Sequence, residues 1–226
     1  MKITSLNLAG YEQWSERESS ILEYLDSTQS DVVFFQEVKF NPEISIFNEV
    51  SLINSKLKIP YEHKQSAITR IYISSDGAES REGLSVLSRY PIIDSEILVL
   101  KKRDDDKHTR IVQNVDVLIG GMLQKFSNVH FSNNDYSDEQ LEEVLKITEG
   151  RYEERIIVGD FNIFDIDTVG NLFFEDYTVS TSVSKYISFP SEDVTLDYVL
   201  IPKSYEFKSL SIGENLSDHN ALTFEL

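Results

Sequence analysis

Apolar residues in this chain gather in short bursts bounded by polar clusters, and most of these bursts are too short for helices. Lys2 to Leu8 predicts a first strand, and Asp31 to Glu37, with its Val-Val-Phe-Phe run, a second. Leu84 to Leu87, Ile92 to Leu100, Ile111 to Leu118 and Leu123 to Phe131 predict successive strands, with a hairpin turn at Gly120-Gly121. Ile156 to Val158 reads as a buried strand. Thr195 to Ile201, Phe207 to Ile212 and Ala221 to Leu226 complete the set, with a further strand at Ile68 to Ile73 and a turn at Ser75-Asp-Gly77.

Helical spacing is confined to three places. Trp14, Ile21, Leu22 and Leu25 follow a capping box, Ser15-Glu-Arg-Glu18. Ile46, Phe47, Val50 and Leu57 mark a second helix, stopped by Pro60. Leu141, Val144 and Leu145 face inward behind another capping box, Ser137-Asp-Glu-Gln140. Phe161 to Ser184 is less regular. Many strands with few helices predict a layered α/β structure with mixed sheets. No repeat or low-complexity linker interrupts the chain, so a single domain over 1–226 is expected.

Composition narrows the picture. With 226 residues, 40% of them hydrophobic, the chain can build a substantial core. No apolar stretch approaches the length of a membrane span. The first residues lack the pattern of a signal peptide, so a cytoplasmic location is expected. Cysteine is absent, which excludes disulfides and thiolate metal sites. Asn215-Leu-Ser217 matches a glycosylation acceptor and is read as chance. The net charge of -18 disfavours tight nonspecific binding to long DNA, which needs a basic footprint. A divalent cation could still bridge an acidic site to phosphate.

Candidate chemistry sits where the strands stop: Asn7, Glu37, His130, Asp160, Asn162, Asp197 and Asp218-His219. Strand ends are where sites in layered α/β proteins tend to sit. Gly159 is expected to turn the backbone so that Asp160 and Asn162 emerge together. Each residue alone has a bland explanation: a turn cap for Asn7, a surface charge for Glu37, a structural histidine for His130. Asp197 is harder to dismiss. It adjoins an apolar run, and a buried unpaired carboxylate is costly, so it needs a partner such as histidine. Together these residues offer carboxylates for a hard cation, amides for an anion and two histidines. That set suits metal-assisted hydrolysis of a phosphate ester. Competing motifs fail. Asp160 to Asn171 has Asp165 where a calcium loop needs glycine. No Gly-x-Ser-x-Gly elbow and no P-loop occur.

The motifs, in their order, resemble the endonuclease/exonuclease/phosphatase superfamily, the metal-dependent hydrolases related to DNase I. They are Ser5-Leu-Asn7, Gln36-Glu37, Glu82-Gly-Leu-Ser-Val-Leu-Ser-Arg-Tyr-Pro91, Asn128-Val-His130, Gly159-Asp-Phe-Asn162, Leu196-Asp-Tyr198 and Ser217-Asp-His219. The resemblance implies an α/β (α+β) four-layer sandwich, with two mixed β-sheets packed face to face and helices outside. It implies a phosphoesterase using Mg²⁺, or Mn²⁺ in its place. Glu37 would be the principal metal ligand, with Asn7 beside it and Asp218 contributing. Asp160 would orient or deprotonate water, and Asn162 would contact the phosphate. His219, held by Asp197, and His130, paired with Glu82, would be the acid/base and phosphate-facing groups. Arg110 would bind phosphate. Repair-type nucleases of the superfamily often carry an acidic residue where this chain has Ala9, and that departure weakens a DNA-repair reading. A phosphodiester or phosphomonoester of a small molecule is therefore preferred as substrate. Nucleic acid, a lipid phosphodiester and a non-catalytic binding role stand as alternatives. The loops Tyr61 to Arg81, Lys101 to His108 and Phe164 to Phe189 are expected to border the site.

Overall fold

The computed structural model describes residues 1–73, 77–133, 136–148 and 155–226. Ser75 and Asp76 of the expected Ser75-Asp-Gly77 turn lie outside the described residues. The strands fall into two six-stranded sheets. The first has the order β11-β12-β1-β2-β4-β3. Here β1 is Lys2–Asn7, β2 Val32–Phe40, β3 His63–Ile73, β4 Glu79–Ser88, β11 Ser209–Gly213 and β12 Ala221–Glu225. The second has the order β5-β6-β7-β8-β10-β9. It comprises β5 Ile92–Val99, β6 Ile111–Ile119, β7 Met122–His130, β8 Ile156–Asp160, β9 Tyr177–Val179 and β10 Asp197–Pro202. Each sheet mixes parallel and antiparallel pairs: β1 runs parallel to β2, and β7 to β8, among antiparallel neighbours.

Three hydrophobic clusters define four layers. Between the sheets lie Ile3, Val32, Phe34 and Val86 of the first, against Val115, Phe126, Val158 and Val199 of the second. The outer face of the first sheet, with Leu6, Val33 and Phe35, packs on α1 (Trp14–Thr28) through Ile21 and Leu25, and on α2 (Glu49–Lys56) through Val50 and Ile53. The outer face of the second, with Val129, Ile157 and Leu200, packs on α3 (Ser137–Thr148) through Leu141 and Val144. The central strands read as unbroken apolar runs because both faces are covered. In β2, Val32 and Phe34 point inward while Val33 and Phe35 point outward. Among the described residues, no helix is long and apolar enough to cross a membrane.

Several local expectations need correction. Helix α1 does not start from a Ser15 cap. Gln13 occupies the cap position in a left-handed conformation with no side-chain cap bond, which leaves Ser15 inside the first turn. The buried Arg17 knits this corner instead, donating to the carbonyls of Leu8 at 2.9 Å and Leu216 at 3.1 Å. Helix α2 begins at Glu49, with Asn48 accepting from the Ser51 amide at 2.9 Å. Ile46 and Phe47, expected inside it, precede it and are 82% and 50% exposed. Strand β3 starts at His63 rather than Ile68, and the short β9 falls within the stretch read as irregular. The Gly120-Gly121 turn is as expected, with φ of 59° and 84°, the doubly left-handed geometry of a tight hairpin.

Gly159 does not turn the chain. It lies inside β8, opposite Val129 of β7, with φ of 143°. A Cβ there would meet the Val129 carbonyl oxygen at 2.1 Å. Gly159→Ala is therefore expected to cost on the order of 3 kcal/mol, through clash and strain together. A thermal midpoint within a degree or two of wild type would contradict this.

Candidate active site

Strand register assembles half of the site. His130 of β7 pairs with Asp160 of β8, and Asp160 pairs with Asp197 of β10. Three ionisable residues thus stand side by side at one level of the second sheet. In the first sheet, Asn7 ends β1 beside Gln36 of β2. The β2–β4 register breaks between Phe35 and Val38, and Glu37 sits in that irregularity with φ of 51°. A bulge of this kind re-aims a side chain. Gln36 stays buried and spans the gap between sheets, donating to Asn128 Oδ1 at 2.7 Å. Asn128 donates onward to Gln113 Oε1 at 3.0 Å. This buried network fixes one sheet against the other just beneath the site.

Asp160 is the hub. It is 1% exposed. Its Oδ1 accepts the Asn162 amide at 2.9 Å, and its Oδ2 accepts Asn7 Nδ2 at 3.0 Å. The same Asn7 nitrogen lies 3.2 Å from Glu37 Oε1, while Asn7 Oδ1 accepts the Ala9 amide at 3.0 Å. His219 Nε2 and His130 Nε2 stand 3.8 Å and 3.7 Å from Asp160 Oδ2. His219 Nδ1 hydrogen-bonds Asp197 Oδ2 at 2.7 Å. Ser217 moors this histidine's loop, donating to the Asn7 carbonyl at 2.6 Å and accepting the His219 amide at 2.9 Å.

The environments set distinct charge states. Burial raises the Asp160 pKa to about 7, against the opposing pull of His219. For His219, burial disfavours the cation, but Asp197 and Asp160 more than reverse this, and its pKa stands at about 10. His130 is driven well below the ordinary histidine value by burial and then by Arg110 and His108. At neutral pH the site therefore holds one imidazolium and one neutral imidazole. Burial also raises Glu37, with the Asn7 bond opposing and the charges of Glu82 and Asp218 adding to the rise. Behind Glu37 the fully buried Glu49 accepts the Lys39 amide at 2.6 Å, and burial pushes its pKa to about 8.

Glu82 does not pair with His130. Its Oε1 lies 3.2 Å from His108 Nδ1, and its Oε2 accepts Tyr72 OH at 2.9 Å with Lys39 Nζ at 3.7 Å. The reason is topological. Glu82 belongs to β4 in the first sheet, next to β3 and its Tyr72, and His108 in the charged loop before β6 takes the place expected for His130. Arg110 is nearly buried and partly committed. Its Nε donates to Asp106 Oδ2 at 2.7 Å, and its Nη1 to the His130 carbonyl at 3.3 Å. Burial alone would raise Asp106, but the bonds from Arg110 and Ser132 win and hold it well below the carboxylate range.

Glu37, Glu82, Arg110, His130, Asp160, Asn162, Asp218 and His219 line one cleft of about 500 Å³, with Asn7 and Asp197 hydrogen-bonded behind it. Tyr72, His108, Phe164 and Phe189 line it from the stretches expected to border the site, whereas Lys39, Asn133 and Glu192 were not expected there. Phe189 places its ring 4.8 Å from that of His219. One donor atom each from Asp160, Asp197 and His219 lies within 4.8 Å of the other two. That trio suits a proton relay better than a metal, because a protonated histidine is no ligand. The donor set at the other end, with carboxylates of Glu37 and the exposed Asp218 facing the cleft, fits a hard divalent cation.

The family model for the Endonuclease/Exonuclease/phosphatase family matches residues 4–219. The chain belongs to this family. A search of curated proteins finds no match. Among solved structures, a family member from Leptotrichia buccalis is 16% identical with a TM-score of 0.78, covering 100% of this chain and 99% of its own. A mannosyl-6-phosphatase from Bacteroides thetaiotaomicron is 14% identical with a TM-score of 0.71, covering 100% and 98%. A Neisseria 3′ phosphatase, solved with a product DNA hairpin, is 17% identical with a TM-score of 0.68, covering 100% and 99%. At these identities the likeness is one of fold. It matches the two face-to-face mixed sheets of this family member.

Proposed function

We propose that this protein is a divalent-metal-dependent phosphoesterase acting on small or soluble phosphate esters. The observation that carries this reading is the Asp197–His219 couple poised against Asp160 in the cleft that Glu37 also enters. Asp160, held by Asn7 and Asn162, aims water at phosphorus and takes its proton. The new P–O bond forms as the ester P–O bond breaks in line, and the leaving oxygen takes its proton from solvent water. His219 keeps its charge on Asp197 and directs Nε2–H at the phosphoryl oxygens. His130, neutral, and Asn162, whose Nδ2 also donates to the Phe131 carbonyl at 3.0 Å, offer further N–H donors. Arg110 braces the His130 backbone through Nη1 while Nε and Nη2 hold Asp106, and it brings its positive charge to the cleft wall. Mg²⁺, held by Glu37 with Asp218 and with Asn7 ordering Glu37, would supply neutralisation of the charge that builds on those oxygens.

The acidic net charge of -18 favours small esters over duplex DNA. The test is hydrolysis of bis(p-nitrophenyl) phosphate and p-nitrophenyl phosphate with Mg²⁺ and with chelator. Turnover that chelator lowers by about 100-fold or more, and that Mg²⁺ or Mn²⁺ restores, is expected. The diester-to-monoester ratio assigns the ester class. Chelator-insensitive turnover would refute the metal, and an oligonucleotide cleaved far faster than either ester would favour a nuclease.

A further inference from the structure

Besides Glu37, Asp160 and Asp218, the cleft is lined by a wall of Lys39, Tyr72, His108 and Arg110, the first three gathered round Glu82. The mechanism above uses only Arg110 of that wall. Glu82, 4% exposed, organises it by holding Tyr72, His108 and Lys39. Arg70 extends it: its guanidinium lies 4.0 Å over the Tyr72 ring, and its Nη1 is 3.3 Å from His108 Nε2. Lys39 thus pairs with Glu82 directly, and Arg70 adds a second cation through Tyr72 and His108, which Glu82 holds. Such a cluster runs against the composition of a chain with 39 acidic and 21 basic residues.

Lys39 is the telling member. It follows Glu37 by two residues on β2, and its stem passes over Gly10, whose missing Cβ leaves it room. Its side chain is 35% exposed, and its ammonium is 3.7 Å from Glu82, an ion-pair distance beyond hydrogen-bond reach. Among the described residues that ammonium forms no hydrogen bond. A flexible ammonium beside a phenol and a guanidinium suits a second phosphate or carboxylate.

We propose that this wall is a subsite for a second anionic group, so that the preferred substrate is a small phosphate ester bearing a further phosphate or carboxylate near the scissile one. The inference rests on the phosphoesterase reading for its substrate but not for its binding test.

Glucose 6-phosphate and glucose 1,6-bisphosphate are the probes. Wild type is expected to show a kcat/KM at least about tenfold higher for the bisphosphate, and Lys39→Gln to bring the ratio close to one. Equal values in wild type, or a ratio that Lys39→Gln leaves intact, would overturn the subsite while leaving the esterase reading standing. Calorimetric titration of the Asp160→Asn protein with both sugars in Mg²⁺ reads the subsite without turnover. A bisphosphate preference of about tenfold that Lys39→Gln abolishes supports it, even if wild type hydrolyses neither sugar. In that event neither sugar is the substrate, and the nitrophenyl esters decide the esterase reading separately. Equal affinity for the two sugars would refute the subsite on its own.

Discussion

Asp160→Asn is expected to lower kcat for phosphate-ester hydrolysis by about 10²–10⁴-fold while leaving the protein folded. Asparagine fills the same volume and still accepts the Asn162 amide, so the turn after β8 persists. The Asn7 bond to Oδ2 is lost, at a cost of about 1 kcal/mol. Against that, a carboxylate is no longer buried at 1% exposure, which relieves a desolvation cost of similar or larger size. Chemistry and stability should therefore separate. The assay pairs kcat with the thermal midpoint. A variant within a few-fold of wild-type kcat would remove Asp160 from the reaction, and one that unfolds would show that its role is structural.

Asp197→Asn should act through His219, and its signature is a pH profile. The raised His219 pKa, near 10, exists because Asp197 and Asp160 outweigh burial. With Asp197 neutral, burial gains ground and the imidazolium is lost at lower pH. Wild-type activity should rise through the Asp160 pKa near 7 and fall near 10. In the variant the alkaline limb should retreat toward or below the acid limb. Few molecules then carry the base deprotonated and the histidine protonated, and turnover at pH 8 should drop by about 10²-fold or more. Stability follows the same sign. A histidine pKa raised in the folded state contributes stability that is complete below its ordinary value of 6.5 and is lost as pH rises through about 10. The gap in thermal midpoint between wild type and variant should narrow across that window. An alkaline limb unmoved by Asp197→Asn would refute the coupling.

Much of this could be read from the sequence because the inner strands are covered on both faces and so carry long apolar runs. Val32 to Phe35, Ile156 to Val158 and Val199 to Ile201 declare themselves this way. The polar residues that end them mark the cleft. Edges were harder. The exposed Ile68 and Ile71 lie on β3, the edge of the first sheet, where packing constrains composition least, and the three-residue β9 is too short to show a period. At the site, residues contributed by strand register, such as His130, Asp160 and Asp197, were foreseen from motifs. The Glu82–His108 contact was not, because it depends on a loop crossing from one sheet to the other, and spacing along the chain carries no record of that.

The second sheet is built wholly from one continuous stretch, β5 to β10, whereas the first needs both β1–β4 and the late strands β11 and β12. The cleft takes Asn7 and Glu37 from the first sheet, and His130, Asp160 and Asp197 from the second. His219 comes from the segment just before β12. The candidate site is thus a property of a seam. It is complete only when the second sheet has docked onto a first sheet whose strands come from both sides of it in sequence, so its residues meet only through contacts distant along the chain.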